Sequence, residues 1–170
     1  CPNQQTLMRF TAIYKFIESL GKRVLSAYTY PHGSFALRTF LPDGDLDLSC
    51  FVAKNDNMWC PRLANTLIHE ALVPSNPKIL VKTVNIIKGN VLVLHTNING
   101  ISVDISSNST NALAALALFE DVDRIIGQNH LYKRSLLLFR SWAGSDSKIH
   151  GPINGLFTTY ALRTMTLYMF

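Results

Sequence analysis

Tyr30-Pro31-His32-Gly33-Ser34-Phe35-Ala36-Leu37-Arg38-Thr39-Phe40-Leu41-Pro42-Asp43-Gly44-Asp45-Leu46-Asp47-Leu48-Ser49-Cys50-Phe51 carries a Gly-Ser turn, a spacer and then an alternating acidic and apolar run. On a β-strand, successive side chains point to opposite faces. Asp45 and Asp47 therefore share one face, while Leu46, Leu48 and Cys50 enter the core on the other. Neighbouring carboxylates repel by roughly 1 kcal/mol at 4 Å in water and by about 4 at an effective dielectric of 20, so a purely structural strand gains nothing from the pair. A divalent cation reverses that sign. Mg²⁺ takes oxygen ligands, favouring one or two carboxylates together with substrate phosphates. Upstream, Gly33 lets the backbone approach a phosphate closely, and Ser34 offers an amide and a hydroxyl as donors.

Two other readings of the acidic run are open to test. Asp43-Gly44-Asp45-Leu46-Asp47 could be an acidic surface turn, and isolated Asp-x-Asp triplets are common. A calcium loop of the EF-hand type needs Gly directly after the third acidic residue and Glu at the twelfth position. Leu48 and Lys54 stand at those places, which excludes it.

At 170 residues and 48% hydrophobic content the chain can bury a real core, as one domain or two small ones. Sixteen Lys and Arg against eleven Asp and Glu give a net charge of +5, an excess suited to a polyanion such as RNA or a nucleoside triphosphate. Cys1, Cys50 and Cys60 form no even framework and no CxxC spacing. Neither a disulfide scaffold nor a zinc site is expected, and a reducing, intracellular compartment is. No apolar run approaches the roughly 20 residues of a membrane span, so no membrane partner is expected.

Leu7, Phe10, Ile13, Ile17 and Leu20 recur at helical spacing, with Gly21 as the predicted residue just past the helix end. Arg23 to Tyr30 reads as a strand leading into the turn, and Asp45 to Val52 as the next. Leu63, Leu67, Ile68 and Leu72 mark a second helix with Pro61 near its first turn. Lys78 to Ile87 and Val91 to Thr96 are further β-rich runs. Asn99-Gly100 is strong hairpin chemistry leading into Ile101 to Ser106. In that last run Asp104 lies on the polar face and is the natural third carboxylate. Ala112 to Ile126, Leu131 to Ala143 and Asn154 to Phe170 read as helices. The fold class is therefore α+β, a sheet of mixed direction with helices followed by a helical region. Its parts are an N-terminal helix (1–22) expected to pack on the helical region, a sheet domain (23–107) and a helical domain (108–170) that looks truncated. His69, His95, His130 and His150 lack metal-ligand spacing and read as structural or surface residues.

Gly-Ser followed by Asp-hydrophobic-Asp-hydrophobic resembles the signature of the DNA polymerase β-like nucleotidyltransferase superfamily. Phe40 to Leu48 is similar to its non-canonical poly(A)/poly(U) polymerase branch. The likeness continues in Glu120 to Ser135, and Asn154-Gly155-Leu156-Phe157-Thr158-Thr159-Tyr160-Ala161-Leu162 is similar to a helix start of the poly(A) polymerase/2′-5′-oligoadenylate synthetase (PAP/OAS1) substrate-binding type. The resemblance implies a palm-like catalytic domain and template-independent transfer of a nucleotide from an NTP, ATP or UTP, to an RNA 3′-end. It also implies Mg²⁺ (or Mn²⁺) bridged by Asp45 and Asp47 and completed by Asp104. Arg140 and Thr159 would hold the triphosphate, and Tyr160 would stack on the base.

Some positions depart from the family pattern. Ala115 stands where many relatives carry a polar residue toward the ribose 2′-hydroxyl, and Gly144 where many place a Lys. Asn111-Ala112 replaces a Gly-Gly pair. Two competing functions remain: a catalytically silent RNA-binding member of the fold, or an oligoadenylate-synthetase-like enzyme with another acceptor. The apolar end Leu167-Tyr168-Met169-Phe170 predicts a further C-terminal region or a partner that covers it.

Overall fold

The structure is a computed structural model and describes residues 4–54, 56–145 and 156–170. Alternating Leu46, Leu48 and Cys50 seat β2 (Leu46–Phe51) inside a five-stranded sheet with β1 (Tyr28–His32), β3 (Val81–Lys88), β4 (Leu92–Ile98) and β5 (Ile101–Ser107). The strand order is β1-β2-β5-β4-β3. β2 and β5 run parallel while the other neighbours are antiparallel, so the sheet is mixed, as the sequence predicts. Asn99 and Gly100 both take positive φ, 53° and 82°, the geometry of a two-residue hairpin turn between β4 and β5.

The N-terminal helix α1 (Gln4–Leu20) buries Phe10, Ile13, Ile17 and Leu20, and α3 (Trp59–Leu72) buries Leu63 and Leu67. These residues form one core with Leu46, Leu48, Leu94, Val103 and Ile105 of the sheet. Each fully buried side chain of this kind contributes about 1.5–3 kcal/mol by leaving water. The apolar stripe of α1 thus packs on the sheet, while Leu7 of the same helix lines a cavity with Lys133, Arg134 and Leu137 of the helical region. A second cluster gathers Phe119, Tyr132 and Leu136 from α4 (Thr110–Ile126) and α5 (Leu131–Ser145) around Leu37.

Three boundaries differ from the sequence reading. Gly21 does not end α1 but opens a π-helical turn, Gly21–Leu25, and the left-handed residue is Ser26 at φ 51°. Gly21 is needed for space, since a Cβ there would meet Thr29 Oγ1 at 2.7 Å. The first strand consequently starts at Tyr28 rather than Arg23 and runs through Pro31. β1 is an edge strand, where a residue without an N–H is tolerated. The last helix, α6 (Thr159–Leu167), starts where the Thr158 hydroxyl accepts from the Ala161 N–H at 3.1 Å. Its predicted start at Asn154 lies outside the described residues. Among the described residues no helix is long and apolar enough to cross a membrane.

Candidate active site

Asp47 sits on β2 and Asp104 on β5, and the parallel register pairs them directly, Asp47 with Asp104. Asp45, immediately before β2, lies one alternation away on the same face. The three carboxylates each offer an oxygen within 4.8 Å of the others. Such a cluster costs free energy unless something cationic compensates. Asp47 shows the cost: burial first, then the charges of Asp45 and Asp104, push its pKa up from 3.8 to about 7. Arg163 and Arg140 pull in the other direction.

Gly33 opens the short helix α2 (Gly33–Ala36) at φ 68°. A Cβ at this position would overlap the Asp47 carboxylate, so only glycine lets the turn seat against it. The Gly-Ser sequence predicts a glycine that lets a phosphate approach the backbone. The geometry adds a second reason, the approach of the turn to Asp47 itself. Ser34 is buried, and its hydroxyl has no hydrogen-bond partner among the described residues. The same holds for His32 Nε2, Thr39 Oγ1 and Arg163 Nε. Unpaired buried polar atoms are rare in folded proteins, and those of His32 and Arg163, two residues lining the cavity at the Gly33 turn, fit a site completed by a ligand.

One cavity opens on the carboxylates and a second on the Gly33 turn. The first, of about 510 Å³, is lined by Asp45, Asp104, His95, Arg140 and Gly144 among others. The other, of about 570 Å³, is lined by His32, Gly33, Ala112, Ala115, Tyr160 and Arg163 among others. Both are within the size range of small-molecule sites. Arg140 is buried, with Nη1 donating to the Thr39 carbonyl at 2.6 Å. Burial and the nearby Arg163 lower its pKa, while Asp45, Asp47 and Asp43 oppose that. Tyr160 is 56% exposed at the mouth of the second cavity, with its ring edge-on to Phe119 at 5.9 Å. Thr159 is the first residue of α6, one position before Tyr160. Ala115 lines the second cavity without a polar atom on its side chain, and at Gly144 an added Cβ would meet open space.

Two residues of this region were not singled out from the sequence. Arg163 lies three positions after Tyr160, one helical turn on, and faces the charges of Asp47 and Asp45. His95, by its spacing, reads as a structural or surface residue. Instead its Nδ1 lies 2.6 Å from Asp104 Oδ1 and the ring lines the cavity that holds Asp45. The signal was present in the hairpin: a two-residue turn pairs Ile98 with Ile101, and three steps out it pairs His95 with Asp104.

Residues 126–170 match the family model of the PAP/OAS1 substrate-binding domain. By sequence the chain matches no curated protein. Among solved structures it superposes on a cytoplasmic RNA terminal U-transferase with a TM-score of 0.77 at 19% identity, over 98% of this chain and 48% of that one. The Cid1 poly(U) polymerase bound to MgGTP gives 0.77 at 18% identity, over 96% and 50%. The poly(A) polymerase complex GLD-2–GLD-3 gives 0.74 at 18%, over 96% and 52%. The chain thus spans about half the length of the solved structures it resembles. With five mixed strands and a Gly-Ser turn against paired aspartates, the chain shares the fold of these terminal U-transferase and poly(U)/poly(A) polymerase structures, and its residues 126–170 carry PAP/OAS1 substrate-binding sequence.

Proposed function

We propose that this chain contains the core of a template-independent terminal nucleotidyltransferase, which moves a nucleotide from an NTP, ATP or UTP, onto an RNA 3′-end. Residues 23–107 form its catalytic domain and 108–170 its substrate-binding domain. The observation that carries this reading is the convergence of Asp45, Asp47 and Asp104 against the Gly33 turn. The donor set is all oxygen, and its mutual repulsion favours a divalent cation, Mg²⁺ or Mn²⁺. When bound there, such a cation supplies Lewis-acid polarisation of the phosphate and a lowered pKa for the attacking hydroxyl.

The chain's own residues do the rest by position and charge. Asp45, Asp47 and Asp104 are the metal ligands. Arg140 and Arg163 bring positive charge beside them, suited to a triphosphate, and Gly33 lets the turn seat against Asp47. Tyr160 presents an exposed ring on which a base can stack, a contact worth about 1–3 kcal/mol. Ser34 and Thr159 complete the polar surroundings of the nucleotide. An RNA substrate goes with an intracellular location, cytoplasmic or nuclear, as do the free, buried Cys50 and Cys60. The exposed Tyr168, Met169 and Phe170 support a further C-terminal region or partner over α6.

The decisive experiment incubates the chain with labelled NTPs, RNA primers and Mg²⁺ or Mn²⁺. Extension ladders are expected from wild type and none from Asp47→Ala, with unchanged far-UV circular dichroism. Ladders from Asp47→Ala at the wild-type rate would contradict the assignment. Short soluble products would mean a different acceptor, and no product from wild type would mean a silent member of the fold.

A further inference from the structure

His95 and Asp104 face each other across the antiparallel pair of β4 and β5, and their side chains meet at 2.6 Å between Nδ1 and Oδ1. An ionised carboxylate can only accept, so Nδ1 carries the proton and donates. The two side chains are 31% and 37% exposed, and both line the cavity shared with Asp45 and Arg140. This is not a ring filling the core. The bond occupies one oxygen of Asp104 and restrains rotation of its carboxylate. The other oxygen is left for a cation shared with Asp45 and Asp47.

We propose that His95 is a positioning residue, holding Asp104 in the orientation that completes a divalent-cation site. The inference rests on the reading of the three aspartates as metal ligands. It assigns His95 no contact with the cation or the substrate. Ligating carboxylates are themselves held by hydrogen bonds, and loss of such an outer partner weakens metal affinity or activity about 10–100-fold.

Mn²⁺ binding to the full chain, followed by calorimetry and by the electron paramagnetic resonance signal of free Mn²⁺, tests this without relying on turnover. His95→Phe keeps the ring volume and removes the donor, and should weaken Mn²⁺ binding by about 10–100-fold. His95→Asn puts an amide N–H near the Nδ1 position and should restore most of the affinity. His95→Gln carries the same amide one carbon too far and should not. Wild-type affinity in His95→Phe, with Asp104→Asn still unable to bind, would overturn the role of His95 while leaving the metal site standing. Absence of Mn²⁺ binding by wild type, or full binding by Asp104→Asn, would remove the metal site and this inference with it. Should His95→Phe fail to fold, the Asn and Gln variants decide, and equal affinity in those two overturns the proposal.

Discussion

Asp47 concentrates the tension of the site in one carboxyl group. Its pKa is raised from 3.8 to about 7, so between those values the folded chain holds a proton that the unfolded chain has released. Stability contributed by this group is therefore present below 3.8 and lost as pH rises through about 7, with a slope of at most about 1.4 kcal/mol per pH unit for a single proton. Asp47→Asn removes that slope. Urea denaturation should find the variant's advantage over wild type absent in acid and growing toward neutral pH, then narrowing when Mg²⁺ is added. A difference that stays flat across the titration would argue against a strained carboxyl. Gly33 is the complementary case. Gly33→Ala must hold φ 68° and overlap the Asp47 carboxylate, so it should cost about 1–3 kcal/mol from the left-handed backbone alone. It should also depress nucleotide incorporation by more than the loss of folded protein explains. The need for glycine at this position was legible from the Gly-Ser turn, but its reason was only partly so, because Asp47 approaches it through the pairing of β1 with β2. Sequence spacing alone does not display that contact.

Strands were easier to read than the segment that leads into them. β2 and β5 announce themselves by alternation, and the Asn99-Gly100 turn fixes the β4 and β5 register to the residue. β1 starts later than the sequence reading because Arg23, Val24 and Leu25 continue the helix as a π-turn, held by the close packing of Gly21 on Thr29. Tertiary packing overrode local preference there. Arg163 and Tyr160 share a cavity wall through helical spacing on α6, a relation the sequence contains once the helix start is known. α5 offers a constructive test. Gly144 lies four positions after Arg140, on the same face, and an added Cβ would meet nothing within 4 Å. Gly144→Lys should therefore be accommodated, and in the last turn of α5 its positive charge faces the favourable end of the helix dipole. It should also tighten NTP binding, because the new ammonium would stand near the cavity of Asp45 and Arg140. Calorimetric titration with a non-hydrolysable NTP would check it, and unchanged affinity would place the triphosphate elsewhere.

At the scale of the molecule, the same segment that carries the Gly-Ser turn ties the two hydrophobic clusters together. Phe35 and Phe40 belong to the sheet core, while Leu37 between them is fully buried in the cluster of Phe119, Tyr132 and Leu136. Arg140 of α5 reaches back to the Thr39 carbonyl at 2.6 Å. The helical region is thus fastened to the Gly-Ser turn itself rather than only through the link from β5 to α4. Leu37→Ala should lose about 2–5 kcal/mol by opening a cavity at that junction. It should also loosen the coupling between the two clusters. Trp59, buried in the sheet core, and Trp142, on α5, are natural reporters of the two halves. In Leu37→Ala, single-tryptophan versions made with Trp59→Phe or Trp142→Phe should unfold at different urea concentrations, the helical reporter first. The same pair in an otherwise wild-type chain should give coincident transitions. Coincident transitions in Leu37→Ala would mean that the contact at Arg140 and the chain connection suffice to keep the halves cooperative, and that Leu37 contributes packing without coupling.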